Sequence, residues 1–471
     1  MSETTFGRTN DGVAARSATD LYRAVWRWHF YAGLLVLPFL ILLAVTGGLY
    51  LFHTQIDNFV HADLKEVTVP TDAAPVAPSA MVAAALEKAP GTPVAFTDPA
   101  TVRSSAEITI QSDAGDKTTV YVDPYSGTVL GAQPFRGTIM WTIRTLHSLK
   151  IFGAYPRALI EIAGGWAILL VGTGIYLWWP RNRTSKNAGG VLTIRGRPRQ
   201  RMFWRDTHAV TGLFVGGFIV FLAVTGMPWS GVWGGQVNEW ANGTNFGYPS
   251  GVYVGVPMSD QKLAETGPTT WSLEQAKLPL SNVPDPVNSG AGAMAEPLGI
   301  DRANGIVATL GLHHGYQLAL PTTPTGVYTA TVYPDDLSQQ RVVHLDQYSG
   351  KPLIDMSYAD YGPAAKAMEF GTNTHMGQQF GLANKLVLLA ACFAIVVLAV
   401  SGAVMWWKRR PKGSLGVPPL PEDRRVFRGL IAILAIGGVI FPLVGLSLAV
   451  MLALDFAGTR LVRRRQGGVR G

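Results

Sequence analysis

Apolar and polar stretches alternate along this chain on the length scale of a lipid bilayer. Long apolar runs fall at 30–52, 157–179, 209–229, 383–407 and 429–454. Each can cross a hydrocarbon core of about 30 Å as a helix rising about 1.5 Å per residue. The pattern predicts membrane helices over 21–53, 147–180, 205–230, 375–407 and 429–455, the second and fourth with a lead-in before the apolar run. Between them lie two long polar segments, 54–146 and 231–374, and two short ones, 181–204 and 408–428; tails occupy 1–20 and 456–471. The first twenty residues are polar and the first apolar run outlasts a signal-peptide core, so that run is expected to persist as a helix. Pro442 interrupts the fifth run. A single span is expected there, with a re-entrant hairpin as the alternative.

The long polar segments carry shorter patterns. In the first, Pro78–Ala89 has helical composition and Pro90-Gly91 ends it. Strands are expected at Val94–Thr97, Ala106–Gln111 and Thr118–Val122. In the second, a short helix is expected over Trp271–Leu278 and strands at Val327–Tyr333 and Arg341–Leu345. Gly, Pro, Ser and Asn dominate 241–300, which reads as loop or insertion. The fold class is a polytopic α-helical membrane protein of about five membrane helices, with two small outer α+β domains.

The pattern is also duplicated. His29-x-x-x-Gly33-Leu34 is followed, seventeen residues after the histidine, by Thr46-Gly47; His208-x-x-x-Gly212-Leu213 is followed at the same interval by Thr225-Gly226. His147 precedes Phe152-Gly153, Thr173-Gly174 and Trp178-Trp179; His375 precedes Phe380-Gly381, Ser401-Gly402 and Trp406-Trp407 at identical spacing. Asp123-Pro-Tyr125-Ser126-Gly127 matches Asp346-Gln-Tyr348-Ser349-Gly350. Three matches in one order mean two copies of a helix–outer domain–helix unit, related by an axis along the membrane normal.

Composition adds orientation and excludes several chemistries. The chain of 471 residues is 48% hydrophobic and 15% charged, with a net charge of +8. Arg181–Arg205 holds eight Lys/Arg and no acid, and Lys408–Arg428 holds seven against two acids. Short basic loops stay cytoplasmic, so the positive charge reports orientation and implies no nucleic acid. The amino terminus is then cytoplasmic and the two long segments face outward. Trp178-Trp179 and Trp406-Trp407, each close to following cations, read as interface anchors. Cys392 is the only cysteine, which excludes an intrachain disulfide, a thiolate cluster and a covalently attached haem.

Histidine is the remaining ligand type. His29 and His208 fall at the cytoplasmic ends of the first and third helices, and His147 and His375 at the outer ends of the second and fourth. Ionisable side chains at membrane segments are functional candidates by default. Haem iron accepts an imidazole on each face, and a two-fold repeat places duplicated histidines on opposite sides of one plate. The pairing predicted is His29 with His208 on the cytoplasmic side and His147 with His375 on the outer side, two haem b groups in all. Gly33 and Gly212, one turn after their histidines, would leave room for a porphyrin. Arg23, Arg27 and Arg205 near the inner pair, and Arg144, Lys150 and Arg157 near the outer one, could meet propionates or lipid headgroups. His53, unpaired because its counterpart is Val232, and the loop pair His313-His314 are further candidates, on the substrate side or as alternative ligands.

These residues carry a resemblance. His29 with Thr46-Gly47, His147 with Thr173-Gly174-Ile175-Tyr176-Leu177-Trp178-Trp179-Pro180, His208 with Thr225-Gly226-Met-Pro-Trp229-Ser230, Asp346-Gln-Tyr348-Ser349-Gly350 and Phe441-Pro442 resemble the PepSY-associated transmembrane family. That family includes iron-regulated membrane proteins and ferric-siderophore reductases of bacterial inner membranes. The resemblance implies periplasmic PepSY-like domains, haem ligation by His29, His147, His208 and His375, and electron transfer outward to a ferric siderophore or other ferric chelate. No Gly-x-Gly-x-x-Gly follows a strand, so the donor is expected to be separate, a quinol or a cytoplasmic reductase. A siderophore or iron transporter, and a haem-free scaffold or sensor, are the other classes the sequence leaves open.

Overall fold

A computed structural model describes residues 6–71, 74–179, 191–242, 255–284, 296–418 and 424–467. The expected loop segments at 181–190, 243–254 and 285–295 lie outside them, as do the first five residues. The elements run α1 (Phe6–Tyr50), α2 (His53–Val60), α3 (Ala62–Lys65), α4 (Pro78–Lys88), β1 (Thr92–Thr97), β2 (Ala106–Gln111), β3 (Lys117–Val122), β4 (Val129–Pro134) and α5 (Ile139–His147). Next come α6 (Ala154–Trp178), α7 (Arg201–Gly226), α8 (Trp233–Asn242), β5 (Met258–Lys262), α9 (Leu263–Thr266), β6 (Lys277–Pro279) and α10 (Ile300–Thr309). The chain ends with β7 (Gln317–Ala319), β8 (Val327–Val332), β9 (Arg341–Asp346), β10 (Pro352–Ser357), α11 (Pro363–His375), α12 (Gly381–Arg409), α13 (Arg424–Ile440) and α14 (Pro442–Gly467). They fall into two units: a helical one from 1–49, 145–235 and 386–471, and a sheet unit from 50–144 and 236–385.

In the helical unit, four segments are long and apolar enough to cross a membrane: Asp20–Tyr50, Ala154–Trp178, Arg201–Trp229 and Gly381–Arg409. These are the first four expected spans. Their shared core is built from small and branched residues, among them Ala24, Ala32, Val36, Ala167, Val215 and Ile395, around the indoles of Trp28 and Trp166. Trp166 keeps its polar edge satisfied by donating to Ser447 Oγ at 2.8 Å. Glu161, wholly buried, accepts the backbone N–H groups of Val232 and Trp233 at 3.1 Å each, capping the start of α8.

The expected fifth span, 429–455, is corrected. α13 stops at Ile440 and α14 starts at Pro442, which has no N–H to extend a helix and is well placed as a first helical residue. Gly438 and Gly445, seven residues apart, would be separated by about 10 Å in one straight helix. Here a Cβ on Gly438 would fall 2.5 Å from Gly445 Cα. The run therefore folds back as a tight helical hairpin, with Phe441 and Val444 of the turn region against Gly165 of α6.

The sheet unit departs from expectation in a different way. Two separate outer modules were expected; their strands form one antiparallel eight-stranded sheet, ordered β10-β9-β8-β7-β1-β2-β3-β4. Each module is a helix followed by four strands, α4 with β1–β4 and α10 with β7–β10, and each would present its first strand as an open edge. Pairing of Ala95 with Ala319, Phe96 with Leu318 and Thr97 with Gln317 closes both edges at once. Ser79 at the start of α4 donates from N and Oγ to the carboxylate of Asp301 in α10, at 2.8 and 2.6 Å. The expected helix over Trp271–Leu278 is only a single 3-10 turn at Trp271–Leu273, followed by β6; Leu273 and Leu278 are drawn into the sheet's apolar layer with Val342 and Ile354. The duplicated Asp-x-Tyr-Ser-Gly motifs form the same turn. Asp123 and Asp346 accept from the N–H of Tyr125 and Tyr348 at 2.9 and 3.1 Å, and Gly127 and Gly350 take φ of 72° and 71°, a region costly for a side chain.

His344 lies in the core of this sheet, 1% exposed, with its Nδ1 2.9 Å from Thr329 Oγ1. Burial lowers its pKa from 6.5 to about 3. An unfolded chain takes up this proton below pH 6.5 while the folded one refuses it until about pH 3, so its stability contribution is full above 6.5 and lost as the pH falls through that window. The expected cost between pH 7 and pH 5 is about 2 kcal/mol. Denaturant midpoints in detergent at those two pH values should show it, and His344→Gln, which cannot titrate, should remove that part of the dependence.

Candidate functional site

His29, twenty-one residues before the end of α1, and His208, in the second turn of α7, converge in the helical unit with ring centres 6.4 Å apart and planes at 85°. Two imidazoles on one metal atom, each nitrogen about 2 Å from it, have ring centres roughly 6 Å apart. Each ring is anchored through Nδ1. His29 Nδ1 is 2.9 Å from Thr173 Oγ1 in α6, and His208 Nδ1 is 3.0 Å from the Leu398 carbonyl in α12, with Ser401 Oγ at 3.5 Å. Neither Nε2 has a hydrogen-bond partner among the described residues. A ring tied at Nδ1 with Nε2 left over is the arrangement that metal-ligating histidines use. The residues present therefore fit a bis-histidine haem.

His147 ends α5 and turns back onto α1, with Nδ1 2.8 Å from Thr46 Oγ1. The hydroxyls of two of the repeat markers, Thr46 and Thr173, are thus histidine contacts. Their glycines matter through close approach: a Cβ on Gly174, Gly402 or Gly47 would stand 3.3, 3.2 or 3.3 Å from Cε1 of His29, His208 or His147. Sequence reasoning missed Thr46, Gly47, Thr173, Gly174, Leu398 and Gly402 as site residues. The available signal was the constant interval between each histidine and a small hydroxyl-glycine pair. Gly33 and Gly212, which sequence reasoning favoured, face Leu170 and Leu398 at 4.0 and 3.3 Å from an added Cβ. His375 ends α11 in the sheet unit, as His147 ends α5, so its pairing with His147 rests on the repeat.

The neighbouring cations have protein partners. Asp206, buried two residues before His208, receives Arg195 Nε at 2.8 Å and Arg205 Nε at 2.9 Å, fastening the basic loop to α7. Arg23 faces Asp20 at 3.6 Å, Arg27 donates to Tyr31 Oη at 3.1 Å and to the Pro418 carbonyl, and Arg157 donates to the Trp229 carbonyl. Arg144 lies over the Trp141 ring. The anchoring indoles also tie loops: Trp178 donates to the Val191 carbonyl at 2.9 Å and Trp406 to that of Leu415 at 3.0 Å.

The remaining histidines belong to the sheet unit. His53 donates from Nδ1 to the Tyr50 carbonyl at 3.0 Å and stacks on the Tyr50 ring; burial lowers its pKa. His314 pairs with Asp98 at 2.8 Å, and His313 Nδ1 turns to the His314 carbonyl at 2.7 Å. No group of three or more His, Cys, Asp or Glu side chains placed to hold a metal ion occurs among the described residues.

Fold and site together define a polytopic membrane protein with a duplicated helical unit, a fused α+β sheet unit and a facing histidine pair between helices. Residues 26–409 match the PepSY-associated TM region, and the chain belongs to that family. No curated protein matches it.

Proposed function

We propose that this chain is a di-haem b reductase of a bacterial inner membrane, passing electrons from the cytoplasmic side to a ferric chelate outside. The observation that carries the reading is the His29–His208 pair: two rings 6.4 Å apart, each tied at Nδ1. His29 and His208 would hold one haem, and His147 and His375, their counterparts at the other end of the repeat, the second. Haem bound in this way exchanges single electrons between ferric and ferrous states. The chain's own part is to place and shield. Thr173 and the Leu398 carbonyl fix the two rings, while Trp28, Val36, Val215 and Ile395 form an apolar core in the same unit, which limits solvent access and lowers the local dielectric.

The basic loops at 181–204 and 408–428 support the orientation, with the sheet unit periplasmic. A ferric siderophore suits the outer side because reduction weakens the hold of hard oxygen ligands on iron. Electrons would enter near His29 and His208 from a quinol or a cytoplasmic reductase. The test is purification from haem-replete cells. A b-type spectrum that shifts on dithionite, reoxidised by an added ferric chelate, is expected. A folded, colourless protein would overturn the reading.

A further inference from the structure

We propose that Thr173 and Thr46 are positioning residues that fix the tautomer of His29 and His147, and that the Leu398 carbonyl does this for His208 in place of a hydroxyl. The inference rests on the haem reading for its purpose, but its geometry is independent of it. A threonine hydroxyl has one proton to give and two lone pairs to accept with. Thr173 Oγ1 is 2.9 Å from the Leu169 carbonyl, one turn back in its own helix, and Thr46 Oγ1 is 2.6 Å from that of Leu42. A carbonyl can only accept, so each hydroxyl proton has a place there. The hydroxyl oxygen then accepts from the histidine, at 2.9 Å for His29 and 2.8 Å for His147.

The opposite arrangement, with the hydroxyl donating to Nδ1, leaves a proton on Nε2 that finds no acceptor among the described residues. Counting protons therefore selects Nδ1–H with a bare Nε2. At His208 the choice is forced, because the partner 3.0 Å from Nδ1 is the Leu398 carbonyl. Ser401 Oγ also lies 2.9 Å from Leu398 O and stands 3.5 Å from the ring. It is therefore dispensable where Thr173 is not. Thr225, the repeat counterpart of Thr46, has the same back-bond, to the Phe221 carbonyl at 2.7 Å.

An Nδ1–H held by a good acceptor also makes Nε2 a better donor to iron, and outer partners of this kind are typically worth about 10–100-fold in metal affinity. Three variants and two readouts test the proposal. Thr173→Val, close in shape but without the hydroxyl, should weaken haem binding to the full-length protein by about 10–100-fold and raise the midpoint of the remaining haem. Thr173→Ser should restore both, and Ser401→Ala should behave as wild type. Imidazole 15N resonances of haem-free protein in detergent, assigned with His→Gln variants, should show Nδ1–H and bare Nε2 at His29, His147 and His208. Nε2–H at His29 or His147, wild-type haem binding by Thr173→Val, or equal damage from Ser401→Ala overturns it. A wild-type protein that binds no haem overturns the reductase reading alone, since the 15N result still decides the tautomer.

Discussion

Replacing either His29 or His208 by alanine is expected to remove the same haem, leaving the other in place. Bis-histidine ligation needs both rings, and the pair is set by two different helices, α1 and α7, whose imidazoles stand 6.4 Å apart. Loss of one ring leaves a single axial ligand in an apolar core, so retention should fall to near zero at that site. Each variant should therefore purify with about half the wild-type haem and lose the same component of the redox titration. His147→Ala and His375→Ala should share the complementary loss. Four distinct spectra, or full haem in either His29→Ala or His208→Ala, would contradict the pairing.

The second large effect concerns the hairpin. Gly438→Leu should destabilise the helical unit by about 3 kcal/mol, the upper end of the usual cost of overpacking. The added Cβ would lie 2.5 Å from Gly445 Cα and 3.1 Å from its N, and backbone atoms cannot swing aside as a side chain would. Melting in detergent should fall by several degrees, whereas Val439→Leu, exposed on α13, should change little. A reporter after Gly467 checks the same feature in cells. A hairpin returns the chain to the side it came from, so the carboxy terminus should label on the same face as the loop at 408–428. Labelling on the opposite face would restore the single span.

Much of this protein is legible in its sequence because hydrophobic length and exact repetition are local properties. The four long spans, the strand Ala106–Gln111 and the matched Asp-x-Tyr-Ser-Gly turns follow from residue types read in order. Duplication likewise marks His29 and His208, whose rings the fold brings to 6.4 Å. Pro442 signals a break, yet only the approach of Gly438 to Gly445 shows that the chain reverses instead of kinking. The strand β7 is three residues long and escapes any periodicity test; it exists because β1 and β8 pair on either side of it.

By itself, then, the sequence determined a duplicated membrane protein with repeated histidines and basic loops, because bilayer thickness and charge act on single segments. Tertiary structure alone decided which surfaces meet: the first module's β1 with the second's β7, and His29, His147 and His208 each with a hydroxyl or carbonyl of another helix. Such pairings depend on side chains more than a hundred residues apart arriving at one depth and angle. No window along the chain contains that information. It arises only when the helices pack.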